Sequence, residues 1–241
     1  MITILADNLS KFFGGVRAVN GLSVSIEPKK ITSIIGPNGS GKTTLTNILS
    51  GMLAPDAGSM VIAGKTINRL APHQAAGLGI TRTFQDVRLF EQMSVADNIS
   101  VVLTSRGVLR SLMPCEDCGH RAREILEQMH LWEKRDQLAR NLSYGQRKLL
   151  EIGRALAMDA DTYLFDEPFA GLFPEMVLII KEIVIRLRDT GRAVVLIEHD
   201  MALIRELSDW VIVMDNGKLL TQGSAEEVLS DRAVIEAYLG E

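Results

Sequence analysis

The sequence predicts an α/β fold in which a mainly parallel sheet is accompanied by an antiparallel β portion and an inserted α-helical subdomain. Three observations predict it. An apolar run, Ile31 to Ile35, leads through a glycine-rich loop into a segment with helical spacing of its apolar residues. Two further apolar runs, at residues 163–165 and 194–197, alternate with helical patterns, as in a parallel sheet. Residues 94–158 show helical patterns without strands.

Length and charge limit the class of protein. A chain of 241 residues suits one α/β domain or two intimately joined subdomains. We expect residues 1–84 and 159–241 to form a catalytic core that includes the antiparallel β portion, and residues 85–158 to form the helical subdomain. A formal net charge of -4 argues against nucleic acid as a partner. The sequence shows no apolar run long enough to span a bilayer and no leader at its start, so we expect a cytoplasmic location.

The loop that follows residues 31–35 reads Gly36-Pro37-Asn38-Gly39-Ser40-Gly41-Lys42-Thr43-Thr44 and has the pattern of a phosphate-binding P-loop. Its glycines allow backbone N–H groups to converge on an anion at the start of a helix. Lys42 can reach the β and γ phosphates of a nucleotide, and the Thr43 hydroxyl can ligate Mg²⁺. The alternative is a chance glycine-rich turn. The candidate nucleotide-binding residues of the loop are Asn38, Gly39, Ser40, Gly41, Lys42, Thr43 and Thr44.

The elements before and after the loop are predicted in order. Residues 2–10 and 19–26 alternate as two strands, joined by a turn over residues 11–15. In that turn Phe13 is a candidate to stack on an adenine ring, although packing at a sheet edge is an equal alternative. The first helix ends at Gly51. Short strands at 59–63, 66–67 and 80–84 and a brief helix at 72–76 follow, and the last of these strands ends at Gln85.

The central part is predicted to be helical. Ser94 can cap a helix that runs to Leu103, with Asp97 in its first turn. Residues 105–120 are irregular, a helix covers 121–129, a connector covers 132–138, and residues 142–146 open another helix. The irregular stretch contains Cys115, Cys118 and His120. These provide three metal ligands at most, so we expect a polar loop with reduced thiols rather than a metal site.

Polar side chains follow two apolar strands in the last third of the chain. Asp166 and Glu167 come directly after residues 163–165, and His199 follows residues 194–197. A helix begins at Pro174, a hairpin turns at Asn216 and Gly217, and helices at 225–229 and 233–239 end the chain. Because ligands of open α/β sheets bind beyond the carboxyl ends of strands, we expect Gly36, Asp166 and His199 to share one phosphate site.

Taken in order, these motifs resemble the ATP-binding subunit of ATP-binding cassette (ABC) transporters over essentially the whole chain. The most specific is the signature motif, Leu142 to Gln146, which has Tyr144 where glycine is commonest. The runs at residues 79–90, 197–201 and 237–241 are similar to LivG-type ATPases of branched-chain amino-acid importers. Residues 166–171 are also compatible with a lipopolysaccharide-export ATPase, which we retain as an alternative, together with a soluble cassette ATPase of a cofactor-assembly complex and a nucleotide-binding regulator without turnover.

The resemblance implies a Mg²⁺-dependent ATPase coupled to transport, with ATP and Mg²⁺ as cofactors. It assigns Mg²⁺ to Thr43, Gln85 and Asp166, the attacking water to Glu167, and the γ phosphate to His199 and Gln85. Ser143, Gly145 and Gln146 would bind ATP on the opposite subunit. Phe173 departs from the family, which usually has Asp or Asn there to contact the partner's P-loop.

The partners implied are a second ATPase subunit, as a homodimer or heterodimer, and membrane-spanning permease subunits at the cytoplasmic face of the membrane. An extracytoplasmic solute-binding protein would act indirectly. Val87, Leu89 and Phe90 are the expected contact with a permease helix, and packing inside the helical subdomain is the alternative for them. The solute is chosen by subunits other than this one, so branched-chain or other hydrophobic amino acids follow from the resemblance alone.

Overall fold

A computed structural model describes residues 3–104 and 117–239 of the chain. By contacts the chain divides into two compact units. The first comprises Met1–Arg82, Asp161–Glu167 and Ile183–Glu241, and the second comprises Thr83–Ala160 and Pro168–Glu182. The domain limits drawn from the sequence stay a prediction.

The first unit is built on a six-stranded sheet in the order β10-β9-β3-β8-β7-β6. Five of the strands are parallel neighbours, and only β10 runs antiparallel, paired with β9. Three strands, β3, β7 and β8, are buried at every residue, which explains why they appear in the sequence as continuous apolar runs. The strands are β3 Ile31–Ile35, β6 Ile80–Arg82, β7 Thr162–Asp166, β8 Ala193–Ile197, β9 Trp210–Asp215 and β10 Lys218–Gly223.

A second, antiparallel sheet of the first unit has the order β2-β1-β4-β5. Its strands are β1 Ile4–Phe13, β2 Val16–Ile26, β4 Ala57–Ile62 and β5 Lys65–Ile67. The predicted turn over residues 11–15 was therefore wrong in extent. Lys11, Phe12 and Phe13 continue β1 and pair with Val19, Arg17 and Val16, so only Gly14 and Gly15 form the turn. Cross-strand pairing here extends past the residues whose apolar alternation is visible in the sequence.

Helices of the first unit cover the sheets and bury apolar side chains against them. They are α1 Lys42–Leu49, α2 Pro72–Gly77, α7 Met201–Leu207, α8 Ala225–Ser230 and α9 Arg232–Leu239. One face of β3 and β9 packs against α7, α8 and α9 through residues such as Ile35, Ile204 and Val228. The sequence did not predict α7, a helix of seven residues capped by Asp200, whose side chain accepts from the Ala202 and Leu203 N–H groups.

The second unit is helical, as predicted from its sequence. Its helices are α3 Val95–Thr104, α4 Cys118–Gln128 and α5 Tyr144–Ala157, with short 3-10 helices at Trp132–Lys134 and Ala139–Asn141. The next helix, α6 Pro174–Asp189, begins in this unit at the predicted residue. Ser94 caps α3 as predicted, because its Oγ accepts the Asp97 N–H at 3.0 Å.

The predicted irregular stretch 105–120 is described only from residue 117 onward, where α4 already begins at Cys118. Cys118 is disulfide-bonded, so the expectation of reduced thiols was wrong, and Cys115 lies outside the described residues. Within residues 3–104 and 117–239, no helix is long and apolar enough to cross a membrane.

Candidate nucleotide site

The glycine-rich loop lies between a fully buried strand, β3, and the first turn of α1, as predicted. Gly36 and Gly41 have φ of 149° and 101°, and a Cβ at either residue would collide with a backbone oxygen, of Met214 or Ala18 respectively. At Gly39, in contrast, a Cβ would meet no atom within 4 Å. The loop is thus packed against the sheet on one side and open on the other, where its backbone can face a ligand.

Lys42 places its ammonium group inside the loop. The side chain is buried, and Nζ donates to the backbone oxygens of Gly36 at 2.6 Å and Pro37 at 2.9 Å. A phosphate that enters the loop would compete with these two carbonyls for the same charge. Since an ammonium group has three rotatable donors, Lys42 can turn from the loop to a phosphate without a change in the backbone.

The remaining candidate residues of the loop differ in exposure. Ser40 is buried, whereas Asn38, Gly39 and Thr43 are exposed and Thr44 is half-buried. The exposed Thr43 belongs to the first turn of α1, the end of a helix that favours anions. The seven candidate residues predicted from the sequence therefore form one continuous segment, residues 38–44.

The carboxyl ends of three strands meet at one edge of the six-stranded sheet. Ile34 of β3 pairs with Ile197 of β8, which pairs on its other side with Asp166 of β7. Gly36 comes two residues after Ile34, and His199 comes two residues after Ile197. The structure thus brings the predicted loop, carboxylates and histidine to the same edge.

Glu167 and His199 contact each other at this edge. The His199 Nε2 and Glu167 Oε1 atoms are 3.1 Å apart, and the Glu167 side chain is 20% exposed. Glu167 has a φ of 48°, and its N–H donates to the Ile197 oxygen at 3.0 Å. A positive φ costs free energy at a residue that has a side chain. At Glu167 this conformation turns the backbone out of β7 directly after Asp166.

Asp166 has a partner that sequence reasoning missed. The Arg82 Nη2 atom lies 2.8 Å from Asp166 Oδ2, and both side chains are under a tenth exposed. Arg82 Nη1 also donates to Asn47 Oδ1 at 2.6 Å and to Ser50 Oγ at 3.2 Å. Arg82 thus joins α1 to β7. No local pattern indicates this contact, because its two charged residues are 84 positions apart.

Four predicted site residues belong to the second unit and are described within it. Gln85 is exposed. Ser143 is the N-cap of α5, and its Oγ accepts the Gln146 N–H at 3.4 Å. The Gln146 side chain in turn accepts from the Ser143 N–H and from Lys134 Nζ, each at 3.1 Å. At Gly145 a Cβ would meet the Met176 sulfur, the end of a flexible side chain that would have to move aside.

Two aromatic residues named from the sequence are exposed. Phe13, at the end of β1, is 50% exposed, and Lys11 Nζ lies 5.7 Å from its ring centroid. Phe173, in the second unit, is 75% exposed. In the described parts of the chain, no group of three or more His, Cys, Asp or Glu side chains is arranged to hold a metal ion.

A mainly parallel sheet with a P-loop after the inner strand β3 and a carboxylate pair at the end of β7, two strands away, defines a P-loop nucleotide-binding protein. Matches to family models identify the class of protein more closely. The model described as ABC transporter matches residues 19–170, and the model described as branched-chain amino acid ATP-binding cassette transporter matches residues 218–241. The chain belongs to the ABC transporter ATP-binding family, as its motifs predicted.

Relatives match over nearly their full length. The chain is 37% identical to a protein of Archaeoglobus fulgidus described as a probable branched-chain amino acid transport ATP-binding protein, LivG. That match covers 100% of this chain and 96% of the LivG protein. It is 36% identical to the lipopolysaccharide export system ATP-binding protein LptB of Escherichia coli K12, with coverage of 100% of this chain and 98% of that one. A solved ATP-binding cassette of an ABC transporter in its ADP conformation is 34% identical, with full coverage of both chains and a TM-score of 0.86.

Proposed function

We propose that this chain is the Mg²⁺-dependent ATP-hydrolysing subunit of an ABC importer for branched-chain or other hydrophobic amino acids. The observation that carries the hydrolytic part is the contact between Glu167 and His199, 3.1 Å apart, at the sheet edge that also holds the P-loop. A carboxylate beside an imidazole can accept a proton from water and hold it, which is what phosphoryl transfer to water requires.

In this proposal each residue acts through its own polar atoms. The backbone N–H groups of the loop and the Lys42 ammonium bind phosphate oxygens. Glu167 orients the attacking water and takes its proton. His199 Nε2 contacts the Glu167 oxygen and fixes the direction of that carboxylate before nucleotide binds. As negative charge develops on the terminal phosphate, the Nε2 N–H moves its hydrogen bond from Glu167 to the phosphate.

The residues proposed for Mg²⁺ have suitable chemistry, since Thr43, Gln85 and Asp166 all offer the oxygen ligands that Mg²⁺ prefers. Asp166 is buried at a strand end with one oxygen held by Arg82, so its carboxylate is already fixed in direction. When bound, the ion would neutralise phosphate charge. In this role Thr43 and Asp166 would hold the ion in place, and Arg82 would hold Asp166. None of the three needs to transfer a proton.

A second ATPase subunit belongs to the proposal because Ser143 and Gly145 begin a helix of 14 residues, α5, with N–H groups in its first turn. Such a helix start binds anions. We propose that it binds ATP held by the partner's P-loop, so that one chain supplies half of each of two sites. ATP then favours the closed dimer, and hydrolysis releases it.

The proposed cargo rests on the match of residues 218–241 to the branched-chain model and on the similarity to the Archaeoglobus LivG protein. Lipopolysaccharide export is the second candidate, because the similarity to LptB is almost as high over the full chain. Membrane-spanning permease subunits would hold the chain at the cytoplasmic face, and an extracytoplasmic solute-binding protein would deliver the solute to them.

The test is to purify the chain from solubilised membranes through an affinity tag and to identify the membrane subunits that copurify. The complex is then reconstituted in liposomes with its solute-binding protein, and leucine uptake driven by internal ATP is measured. The proposal expects uptake of leucine, isoleucine or valine. Extraction of lipopolysaccharide without amino-acid uptake would favour the second candidate, and a complex with no membrane subunit would contradict both.

A further inference from the structure

The segment 84–90 follows β6 and contains Gln85, and a buried carboxylate of α5 binds it on both sides of that residue. Glu151, 5% exposed, accepts the backbone N–H groups of Phe84 at 3.4 Å and of Arg88 at 3.2 Å, both on the same oxygen, Oε1. The two bonds enclose residues 85–87. A single carboxylate oxygen thus fixes the backbone on both sides of Gln85.

Arg154 lies three residues after Glu151 on the same face of α5. It binds a different polar group of the segment 84–90. Its Nη1 donates to the Arg88 backbone oxygen at 2.6 Å, and its guanidinium lies 4.7 Å from the centroid of the Phe90 ring. Arg88 in turn stacks over Phe84 at 3.9 Å. Glu151 binds N–H groups and Arg154 binds a carbonyl, so α5 matches both the donors and the acceptors of the segment.

The far end of the segment is fixed from a second helix. Asn98 of α3 is fully buried, its Oδ1 accepts the Phe90 N–H at 3.0 Å, and its Nδ2 donates to the Phe90 oxygen at 3.0 Å. The Phe90 backbone is therefore anchored to α3, in addition to the contact of its ring with Arg154. The part of the segment whose position depends on Glu151 is the part that contains Gln85.

A buried carboxylate is a costly way to hold two N–H groups. Burial raises the pKa of Glu151 to about 7, although the Arg88 and Phe84 N–H groups and the charges of Lys148 and Arg154 lower it. Its Oε2 has no hydrogen-bond partner among the described residues. Packing alone does not require such a group, since an apolar residue of similar size would fill the space at lower cost.

We propose that Glu151 is a positioning residue for Gln85, and that it links the start of α5 to the Gln85 segment. Ser143 caps the helix that contains Glu151, so any shift of the α5 N-terminus on binding a nucleotide is carried along the helix to the backbone at Phe84 and Arg88. This inference rests on the proposed function, in which Ser143 and Gln85 both contact nucleotide.

The first test is hydrogen exchange of the full chain, read at the amides of Phe84 and Arg88. The variants are Glu151→Met, which keeps length and packing but removes the acceptor, and Glu151→Gln, which keeps one carbonyl oxygen. We expect exchange at both amides to rise about tenfold in Glu151→Met, the factor for one lost hydrogen bond, and to stay within about threefold of wild type in Glu151→Gln. Glu127→Ala on the exposed face of α4 is the control and should change neither amide.

Unchanged exchange at Phe84 and Arg88 in Glu151→Met would overturn the proposal. If this variant does not fold, Glu151→Asp replaces it. The shorter side chain keeps the charge but cannot reach both N–H groups, so the proposal again requires faster exchange, and wild-type exchange would overturn it.

The second test measures Mg²⁺-ATP hydrolysis by the same variants. We expect Glu151→Met to lower kcat about tenfold and to leave KM within about twofold, because the P-loop residues that bind phosphate are unaffected. Glu151→Gln should restore kcat. Equal loss in both variants, or a change in KM alone, would overturn the positioning role. Gln85→Ala distinguishes failure of the proposed function from failure of the positioning role. If this variant hydrolyses ATP at the wild-type rate, the function proposed for Gln85 fails. The exchange result still decides whether Glu151 holds the segment.

Discussion

The Arg82–Asp166 ion pair gives the largest predicted effect on stability in the first unit. Both side chains are under a tenth exposed, the charged atoms are 2.8 Å apart, and Arg82 makes two further bonds to Asn47 and Ser50. Arg82→Met keeps a long side chain but removes the charge that faces Asp166. Breaking one side of a buried pair costs about 3–5 kcal/mol, because the other charge keeps its desolvation penalty.

The assay is unfolding in urea at pH 7.5. With a slope of about 2 kcal/mol per molar urea, the predicted loss lowers the midpoint by about 1.5–2.5 M. The matched control is Arg192→Met, since Arg192 and Asp161 also form a pair at 2.7 Å, but Asp161 is 70% exposed. An exposed pair contributes about 1 kcal/mol or less, so the control should hardly move the midpoint. Equal shifts for the two variants would refute the argument from burial.

Three further predictions concern other parts of the chain. Burial raises the pKa of Glu151 from 4.5 to about 7. Between these two pH values the native state keeps a proton on Glu151 that the unfolded state releases. The free energy of unfolding should therefore fall by about 2–3 kcal/mol from pH 5 to pH 8 relative to Glu151→Gln, and parallel urea titrations of the two proteins would contradict this. Tyr238→Phe removes the hydroxyl that accepts the buried Gly36 N–H at 2.6 Å, and it should lower the free energy of unfolding by about 1–3 kcal/mol in the same assay. The control is Tyr144→Phe, because the Tyr144 side chain is half exposed. A loss for Tyr238→Phe no larger than the loss for Tyr144→Phe would speak against this bond. Phe173→Asp replaces an exposed ring with the side chain usual in the family and should strengthen ATP-dependent dimerisation in analytical ultracentrifugation, whereas unchanged dimerisation would mean that residue 173 makes no contact with the partner.

Much of the nucleotide edge could be predicted from the sequence because its information is local. Strands buried on both faces appear as runs of apolar residues, and β3, β7 and β8 are each five buried residues long. The loop after β3 follows from its glycines, two of which tolerate no side chain. Parallel strands then place their carboxyl ends together, so the meeting of Gly36, Asp166 and His199 needs no further information.

The partners of the buried charges could not be predicted, because nothing local encodes them. Arg82 lies 84 residues from Asp166, and Glu151 lies 63 residues from Arg88. Each belongs to a helix or strand whose periodicity would accept an ordinary surface residue. The extent of β1 was missed for a related reason, since Phe12 and Phe13 are held by pairing with β2 and not by their own pattern. Asp200 lies in the run 197–201 that was used only for the resemblance, and the structure shows it to be the cap of α7.

Hydrolysis in the proposed mechanism depends on the Glu167 carboxylate more than on any other group. Single-turnover hydrolysis of Mg²⁺-ATP is compared in wild type, Glu167→Gln and Lys42→Ala, with ATP affinity measured by calorimetry. Glu167→Gln should bind ATP as tightly as wild type and hydrolyse it about 10²–10⁴-fold more slowly, because the carboxylate that accepts the proton is gone while the P-loop is intact. Lys42→Ala should lose affinity instead. Hydrolysis by Glu167→Gln at the wild-type rate would contradict the account.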